Sequence, residues 1–228
     1  MVSSAASNCK TLNELWARVE QVNRTHFPGN ALAPILGGGQ VSKPKAMFVF
    51  INPTVRNVSS DLDWQGPRFP FIGTKQVWRV FYRAGLFDSE LMQQIESVSD
   101  WSVEFTGKVL KFLQDRGLYL TNIVKWTGYD STLPGSNKIR LFLPVLEREI
   151  ELVQPQYIVT LGLIPFESLV GRKIRLGDYH AEVMRTGELQ FYNLAVGSAD
   201  ARVVPSFFPV GRGDPKRAVE ILKLVADL

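Results

Sequence analysis

AMFVFINPT, residues 46–54, is an apolar run that ends abruptly in an amide, a proline and a hydroxyl. Six apolar residues, with Val49 and Ile51 among them, predict a strand that is buried on both faces, as in a parallel sheet. Asn52 and Pro53 predict a turn at the carboxyl end of that strand. Ligands of open parallel sheets bind at this end, so we expect a functional site around Asn52.

The composition of the chain is that of an ordinary folded protein. Its 228 residues, 45% of them hydrophobic, are enough for a packed core, and we expect one domain over residues 1–228. Cys9 is the single cysteine, which excludes an intramolecular disulfide or a four-cysteine metal site and favours an intracellular, reducing compartment. We expect neither a leader nor a membrane span. The net charge of +4 is compatible with an anionic partner, but it is equally compatible with many ordinary enzymes and does not distinguish between them.

Strand and helix patterns alternate along the chain. After the strand at residues 46–51, apolar runs predict strands at residues 118–124, 157–161 and 202–204. Amphipathic spacing and capping residues predict helices at residues 12–23, 74–85, 89–97, 103–114 and 139–153, and a last helix that begins at Asp214 and Pro215. This alternation predicts an α/β fold with three α/β/α layers and a central, mainly parallel sheet of about four strands.

Two segments do not follow this alternation. Residues 173–194 contain short apolar groups separated by Gly-Asp and Thr-Gly-Glu, which predict short strands such as a hairpin. Three glycines at residues 37–39 resemble a phosphate-binding loop, but such a loop needs a strand before it and a helix after it. A strand follows here instead, so the pattern favours a flexible approach loop.

Several motifs, taken in order, resemble those of one protein family. FINP at residues 50–53, and FIG at residues 71–73 with the helix pattern after it, are similar to the mismatch-specific branch of the uracil-DNA glycosylase superfamily. Segments 66–73, 121–125 and 154–162 resemble the thermostable iron–sulfur branch of the same superfamily. The chain lacks the cysteines of that second branch, so we expect no cluster, no metal and no other cofactor.

The resemblance implies that a base is flipped out of DNA and is bound at the end of the sheet. Asn52 is then expected to position the water that cleaves the glycosidic bond, with Ile51 and Pro53 beside the base. Phe71 is expected to stack on the base, and Asn122 to hydrogen-bond its edge. Structural roles are the alternatives: a turn-capping Asn52, a core or lid Phe71 and a strand-end Asn122.

The loop after Asn52 carries two carboxylates, Asp61 and Asp63. Either would be a true general base if the loop folded back over the pocket, because a carboxylate can accept a proton and an amide cannot do so effectively. A solvated acidic loop is the favoured alternative. The two histidines, His26 and His180, are expected to be structural or surface residues.

Residues 205–213 resemble, by their position, the loop that the family inserts into DNA, and the resemblance implies that apolar side chains there fill the gap left by the flipped base. The DNA contacts expected from this loop and from the mouth of the site are Ser206, Phe207, Phe208, Val210, Arg212, Lys75 and Lys125. The commonest family pattern here is His-Pro-Ser, whereas this chain has Phe208, Pro209 and Val210. The histidine that would stabilise the leaving base is missing, which argues against strong activity on plain uracil.

Three functions are consistent with these residues. The first is a monomeric, monofunctional DNA glycosylase that removes a deaminated base, most simply uracil, from damaged or mismatched DNA in base excision repair. The second is a catalytically silent module that binds damaged DNA, favoured by Phe208 and by Thr54 where a glycine is usual. The third is an α/β enzyme that acts on a free nucleobase or nucleoside.

Overall fold

Helices and strands alternate along most of the chain in the computed structural model, which describes residues 6–228. The helices are α1 (Leu12–His26), α2 (Gln76–Arg83), α3 (Ser89–Ser97), α4 (Val103–Asp115), α5 (Ser136–Val153), α6 (Leu163–Val170), α7 (Leu176–Thr186) and α8 (Pro215–Ala226). The strands are β1 (Gly38–Gly39), β2 (Ala46–Phe50), β3 (Leu118–Asn122), β4 (Tyr157–Leu161), β5 (Tyr192–Val196) and β6 (Ala199–Ser206). A short 3₁₀ turn, Val58–Ser60, lies in the loop after β2.

The strands form one sheet in the order β1-β3-β2-β4-β6-β5. Its four inner strands, β3, β2, β4 and β6, are parallel, and β1 and β5 are antiparallel strands at the two edges. The central register places Phe48 of β2 between Leu120 and Val159. The α/β class and the mainly parallel sheet are confirmed. The sheet has six strands rather than about four, because it has an antiparallel strand at each edge.

Side chains of β2 alternate between two apolar layers, as expected for a strand covered on both sides. Phe48 and Phe50 pack in a cluster with residues of α2, α3, α4, α7 and α8. Met47 and Val49 pack on the other side with residues of α1, α5 and α6. We call the side of Phe48 and Phe50 the front face of the sheet and the side of Met47 and Val49 its back face. This is the predicted three-layer arrangement.

The prediction of short strands over residues 173–194 was wrong for most of that segment. Residues Leu176–Thr186 form α7, and Tyr179 and Val183, four residues apart, are its buried contacts. Gly187 ends the helix with a left-handed conformation (φ 73°), so the Thr-Gly-Glu sequence is a helix terminus rather than a hairpin turn. Only the last part of the segment is a strand, Tyr192–Val196.

Two of the three glycines at residues 37–39, Gly38 and Gly39, form the edge strand β1, so the prediction of a flexible approach loop was wrong for these two. Gly38 pairs with Leu120 and Gly39 pairs with Tyr119. Gly39 has φ +126°, and a Cβ added there would lie 2.1 Å from the carbonyl oxygen of Leu118. Glycine is therefore required at this position because the two backbones approach closely. None of the helices in the described part of the chain is long and apolar enough to cross a membrane.

Candidate active site

The predicted site residues lie together at the carboxyl ends of the parallel strands. Asn122 is the last residue of β3, and Ser206 is the last residue of β6. Asn52 lies two residues beyond the end of β2. Asn122 is paired in register with Phe50, and paired residues of neighbouring strands project from the same face. The Asn122 side chain therefore lies on the front face beside the Phe50 ring.

Asn52 is half-buried in a braced turn. Its Nδ2 donates a hydrogen bond to the carbonyl oxygen of Pro53 at 3.1 Å. The backbone N–H of Gly128 donates to the same oxygen at 3.0 Å, and the N–H of Val55 donates to the Gly128 carbonyl at 2.8 Å. The loop after β3 thus holds the turn in place. The amide nitrogen can only donate, so Oδ1 is the atom with which Asn52 can accept a hydrogen bond from a water molecule.

Phe71 has a left-handed backbone conformation, φ +70°, which is uncommon for a residue other than glycine. Its ring is half-buried and packs edge-on against Phe50, with centroids 4.6 Å apart and an interplanar angle of 70°. Its carbonyl oxygen accepts hydrogen bonds from Trp78 Nε1 at 3.2 Å and from Thr74 Oγ1 at 3.0 Å. The strained backbone is therefore fixed by its surroundings, which is common at functional sites.

The Asn122 side chain is almost fully buried, with 1% of its surface exposed, and its Nδ2 has no hydrogen-bond partner. A buried donor without a partner costs about 1–3 kcal/mol, and such groups are rare in native proteins. Phe50 contacts Phe71 and is paired with Asn122, so the orphaned amide lies at the same part of the front face as the strained aromatic residue. The chain thus presents a buried donor beside an aromatic surface.

The loop after β6 meets the turn after β2 across Gly162. A Cβ added at Gly162 would lie 3.5 Å from Ile51 Cδ1 and 3.8 Å from Phe208 Cβ. Ile51 is buried, and Phe208 is half-buried. Two predicted site residues from distant parts of the sequence therefore flank one glycine at the end of β4. Pro53, the other residue predicted beside the base, is buried.

Within the loop after β6, side chains point in different directions. The Phe207 ring packs edge-on against His180, with centroids 5.8 Å apart, and the Arg217 guanidinium lies 5.6 Å from its centroid. Phe207 is thus held by α7 and α8. Val210 is half-buried and accepts a hydrogen bond from Gly213 N at 3.1 Å, which closes a turn that leaves Arg212 exposed.

Two of the residues predicted to contact DNA are fully buried. Lys125 forms an ion pair with Glu149 at 2.5 Å, and both side chains are completely inaccessible. Ser206 is also inaccessible, and its Oγ has no hydrogen-bond partner. Neither side chain reaches the surface, so a DNA contact by either one does not fit this structure. Lys75 is half-buried and its Nζ donates to the Glu96 carbonyl at 2.6 Å; its DNA contact stays a prediction.

Residues 36–227 match the model of a family described as the uracil DNA glycosylase superfamily. The chain belongs to this superfamily. The resemblance drawn from the sequence motifs is thereby confirmed at the level of the superfamily, and membership supports a DNA-glycosylase type of function and DNA as the partner. No curated protein matches the chain significantly.

The carboxylates of this glycosylase-superfamily member are exposed on the loop after β2. Asp61 Oδ1 accepts a hydrogen bond from the backbone N–H of Asp63 at 2.9 Å, a local turn contact. Arg68 donates to the carbonyl oxygens of Ser59 at 2.5 Å and Trp64 at 3.1 Å, which ties the loop to itself. These contacts match the alternative of a solvated acidic loop. Within residues 6–228, no group of three His, Cys, Asp or Glu side chains is placed to hold a metal ion.

Sequence reasoning missed two features that support the site. One is Gly128, whose backbone braces the Asn52 turn, and nothing in its sequence context points to that contact. The other is Glu149, which is fully buried in α5 among apolar residues. Phe142, Val145, Leu146, Ile150 and Val153 are the other buried positions of that helix. A glutamate on the apolar stripe of a helix was the available signal, because a buried carboxylate requires a partner.

Proposed function

We propose that this protein is a monofunctional DNA glycosylase that flips a deaminated base, most simply uracil, into the site beside Phe71 and hydrolyses its N-glycosidic bond. The observation that carries the proposal is the buried, unpartnered Nδ2 of Asn122 in a member of this superfamily. A bound base that accepts from this donor recovers the free energy lost by its burial, whereas a base without an acceptor at that position leaves the loss in place.

The proposed recognition uses complementary groups. The edge of uracil places an N–H donor next to a carbonyl acceptor, and the Asn122 amide has the matching acceptor and donor. Phe71 supplies an aromatic surface for stacking, and its ring is already fixed by Phe50. Stacking is tolerant of base type, so hydrogen bonding by Asn122 supplies the selection in this proposal.

The proposed chemistry depends on positioning. Asn52 Oδ1 accepts a hydrogen bond from the attacking water, while the bond from Nδ2 to the Pro53 carbonyl holds the side chain in place. An amide is a weak base, so its contribution is to orient the water and not to remove its proton. The departing base becomes negatively charged, and Phe208 stands where the commonest family pattern has a histidine. Neutral donors, such as Asn122 Nδ2, then have to stabilise that charge.

The loop after β6 is the proposed DNA-insertion element. Phe208 and Val210 are half-buried candidates for the wedge that fills the gap left by the flipped nucleotide. Phe207 is packed between His180 and Arg217, so its proposed role is to anchor the loop. Arg212 is exposed on the turn, where it can pair with a phosphate, and Lys75 is a second proposed phosphate contact.

An oligonucleotide panel tests the proposal. Duplexes with U·G, U·A, T·G and hypoxanthine pairs are incubated with the protein, and abasic sites are then cleaved with alkali. We expect cleavage of at least one deaminated base, and a loss of roughly 100-fold in the Asn52→Ala variant because the water is no longer oriented. Wild-type cleavage no greater than that of Asn52→Ala on every duplex contradicts the proposal.

A catalytically silent DNA-binding module is the second candidate, favoured by Phe208 in place of a histidine. It predicts tight, salt-sensitive binding of the same duplexes without product after long incubation. A panel of free nucleosides tests the third function, in which cleavage does not require DNA. The predictions of one domain and of a monomer remain predictions, and light scattering after size-exclusion chromatography measures the second of them directly.

A further inference from the structure

A cluster of polar side chains lies buried behind the end of β3. Glu149 accepts hydrogen bonds from Tyr119 at 2.8 Å and from Thr121 at 2.8 Å, and it forms the ion pair with Lys125. Lys125 also donates to Thr121 Oγ1. All four side chains are completely inaccessible or nearly so, and Tyr119 belongs to the apolar cluster of the back face. The cluster is therefore a closed network inside the back layer.

An ion pair in such a place is not explained by stability. Removing two charges from water is costly, and replacing a buried pair by apolar or neutral groups of similar volume is often neutral or stabilising. Burial lowers the pKa of Lys125, and Glu149 offsets only part of that effect. Burial, and then Glu149, raise the pKa of Tyr119 well above its usual value. Stabilisation of the core therefore does not explain why this network is present, and its contacts indicate another role.

One further contact connects the network to the front face. Lys125 Nζ donates to the carbonyl oxygen of Asn122 at 2.8 Å. The edge strand β1 pairs only with Tyr119 and Leu120, so it ends before it reaches this carbonyl. Lys125 therefore provides a hydrogen-bond donor beyond the end of β1.

The direction of the side chains makes this contact relevant to the site. Thr121 projects from the back face toward Glu149, so the next residue, Asn122, projects from the front face. The ammonium behind the sheet fixes the backbone of the residue whose amide faces the base in the proposed function. Rotation of the backbone at Asn122 would move the side-chain amide. Its Nδ2 makes no hydrogen bond that would resist this movement.

We propose that Lys125 and Glu149 are positioning residues that hold the Asn122 amide in the orientation needed to recognise the base. Glu149 neutralises and orients Lys125, and Lys125 fixes the Asn122 carbonyl. This inference rests on the proposed function for its effect on activity. The predicted effect on the orientation of the Asn122 amide can be measured in the free protein, without DNA.

The central variant is Lys125→Met/Glu149→Gln, which removes both charges, keeps the volume and leaves an acceptor for Tyr119 and Thr121. We expect its melting temperature to stay within a few degrees of wild type, whereas Lys125→Met alone lowers it by roughly 10 °C because an unpaired carboxylate stays buried. Tyr119→Phe is the matched control, since it removes one hydrogen bond from Glu149 and none from Asn122.

The activity test is a double-mutant cycle with Asn122→Ala. We expect the charge-free double variant to lose roughly 10- to 100-fold in kcat/KM on the best duplex of the panel, and to lose nothing more when Asn122 is already replaced by alanine. The Tyr119→Phe control is expected to stay within about twofold of wild type. An equal loss in the wild-type and Asn122→Ala backgrounds overturns the proposal, because it shows a general structural effect.

The second readout is the NMR signal of the Asn122 side-chain amide in free protein, assigned by its disappearance in Asn122→Ala. We expect one sharp pair of proton signals in wild type and in Tyr119→Phe, and broadened or shifted signals in the charge-free double variant. Unchanged signals overturn the positioning role. If wild type cleaves none of the duplexes, the proposed function fails, while these signals still decide whether Lys125 holds Asn122.

Discussion

Replacement of Phe71 separates the cost of its backbone conformation from the contribution of its ring. At φ +70°, an L-residue with a Cβ is destabilised by about 1–2 kcal/mol, and glycine is not. Phe71→Ala and Phe71→Gly both remove the half-buried ring, but only the second relieves the backbone. Allowing for the greater chain entropy of glycine when unfolded, we expect Phe71→Gly to be more stable than Phe71→Ala by roughly 1 kcal/mol.

A difference of this size raises the melting temperature by about 2–4 °C in a chain of this length, which thermal unfolding resolves. Phe191 provides the matched control, because it is half-buried against Tyr157 and does not have a positive φ. There the order reverses, and Phe191→Gly is expected to be less stable than Phe191→Ala. If Phe71→Gly is no more stable than Phe71→Ala, the backbone of Phe71 is not strained and the reasoning fails.

The same two variants test the proposed stacking. A base stacked on an aromatic side chain gains about 1–3 kcal/mol, so either variant is expected to bind lesion DNA roughly 5- to 150-fold more weakly. Fluorescence anisotropy in an Asn52→Ala background measures this affinity while limiting cleavage. Binding of undamaged DNA is expected to change little. Equal losses on damaged and undamaged duplexes refute stacking by Phe71.

Three further outcomes are expected. Arg212→Ala weakens binding to damaged and undamaged DNA alike and makes the negative slope of log K against log salt shallower by roughly 1, measured by anisotropy at several salt concentrations. The pKa of Tyr119 is higher in the folded state than in the unfolded state. Its protonated side chain therefore stabilises the fold fully below the unfolded-state pKa of about 10, and this stabilisation is lost as pH rises toward the folded-state pKa. Tyr119→Phe therefore reduces the loss of unfolding free energy between pH 9 and pH 11, measured by denaturant titration; an unchanged loss contradicts this. Finally, DNA containing 5-fluorouracil, a more acidic leaving base, is expected to be cleaved faster than uracil DNA in single-turnover assays, and equal rates argue against a rate limited by leaving-group charge.

The central strand and the position of its carboxyl end were predictable because several signals agree there. The run from Ala46 to Phe50 is apolar at every position, which fits a strand covered on both faces, and Asn52 and Pro53 mark its end. The carboxyl ends of parallel strands lie at the same end of the sheet, so the strand ends alone predict that Asn122 lies near Asn52. Nothing in the sequence predicted the left-handed backbone of Phe71, because that conformation depends on partners such as Trp78.

The errors have equally specific causes. In α7, glycine and aspartate lie in the first helical turn and Gly187 ends the helix, so residues typical of turns occur at both ends of an 11-residue helix. Lys125 follows a strand end, where a lysine is usually solvated, and its actual partner Glu149 is 24 residues away on α5. Local patterns do not encode which face such a side chain takes. The partner was detectable only as a glutamate on an apolar helical stripe.

The distribution of charge around the sheet limits how the proposed reaction is catalysed. The cation nearest in sequence to the Asn122 amide, Lys125, is on the back face and is neutralised by Glu149. The front face near Asn122 presents aromatic rings and a neutral amide donor, and Phe208 replaces the histidine of the commonest family pattern. One well-placed donor to a developing anion is worth about 10²- to 10³-fold in rate. The proposed glycosylase would have to rely on the acidity of the departing base. We therefore expect bases that leave easily to be its favoured substrates, and we expect activity to depend strongly on the placement of the Asn122 amide.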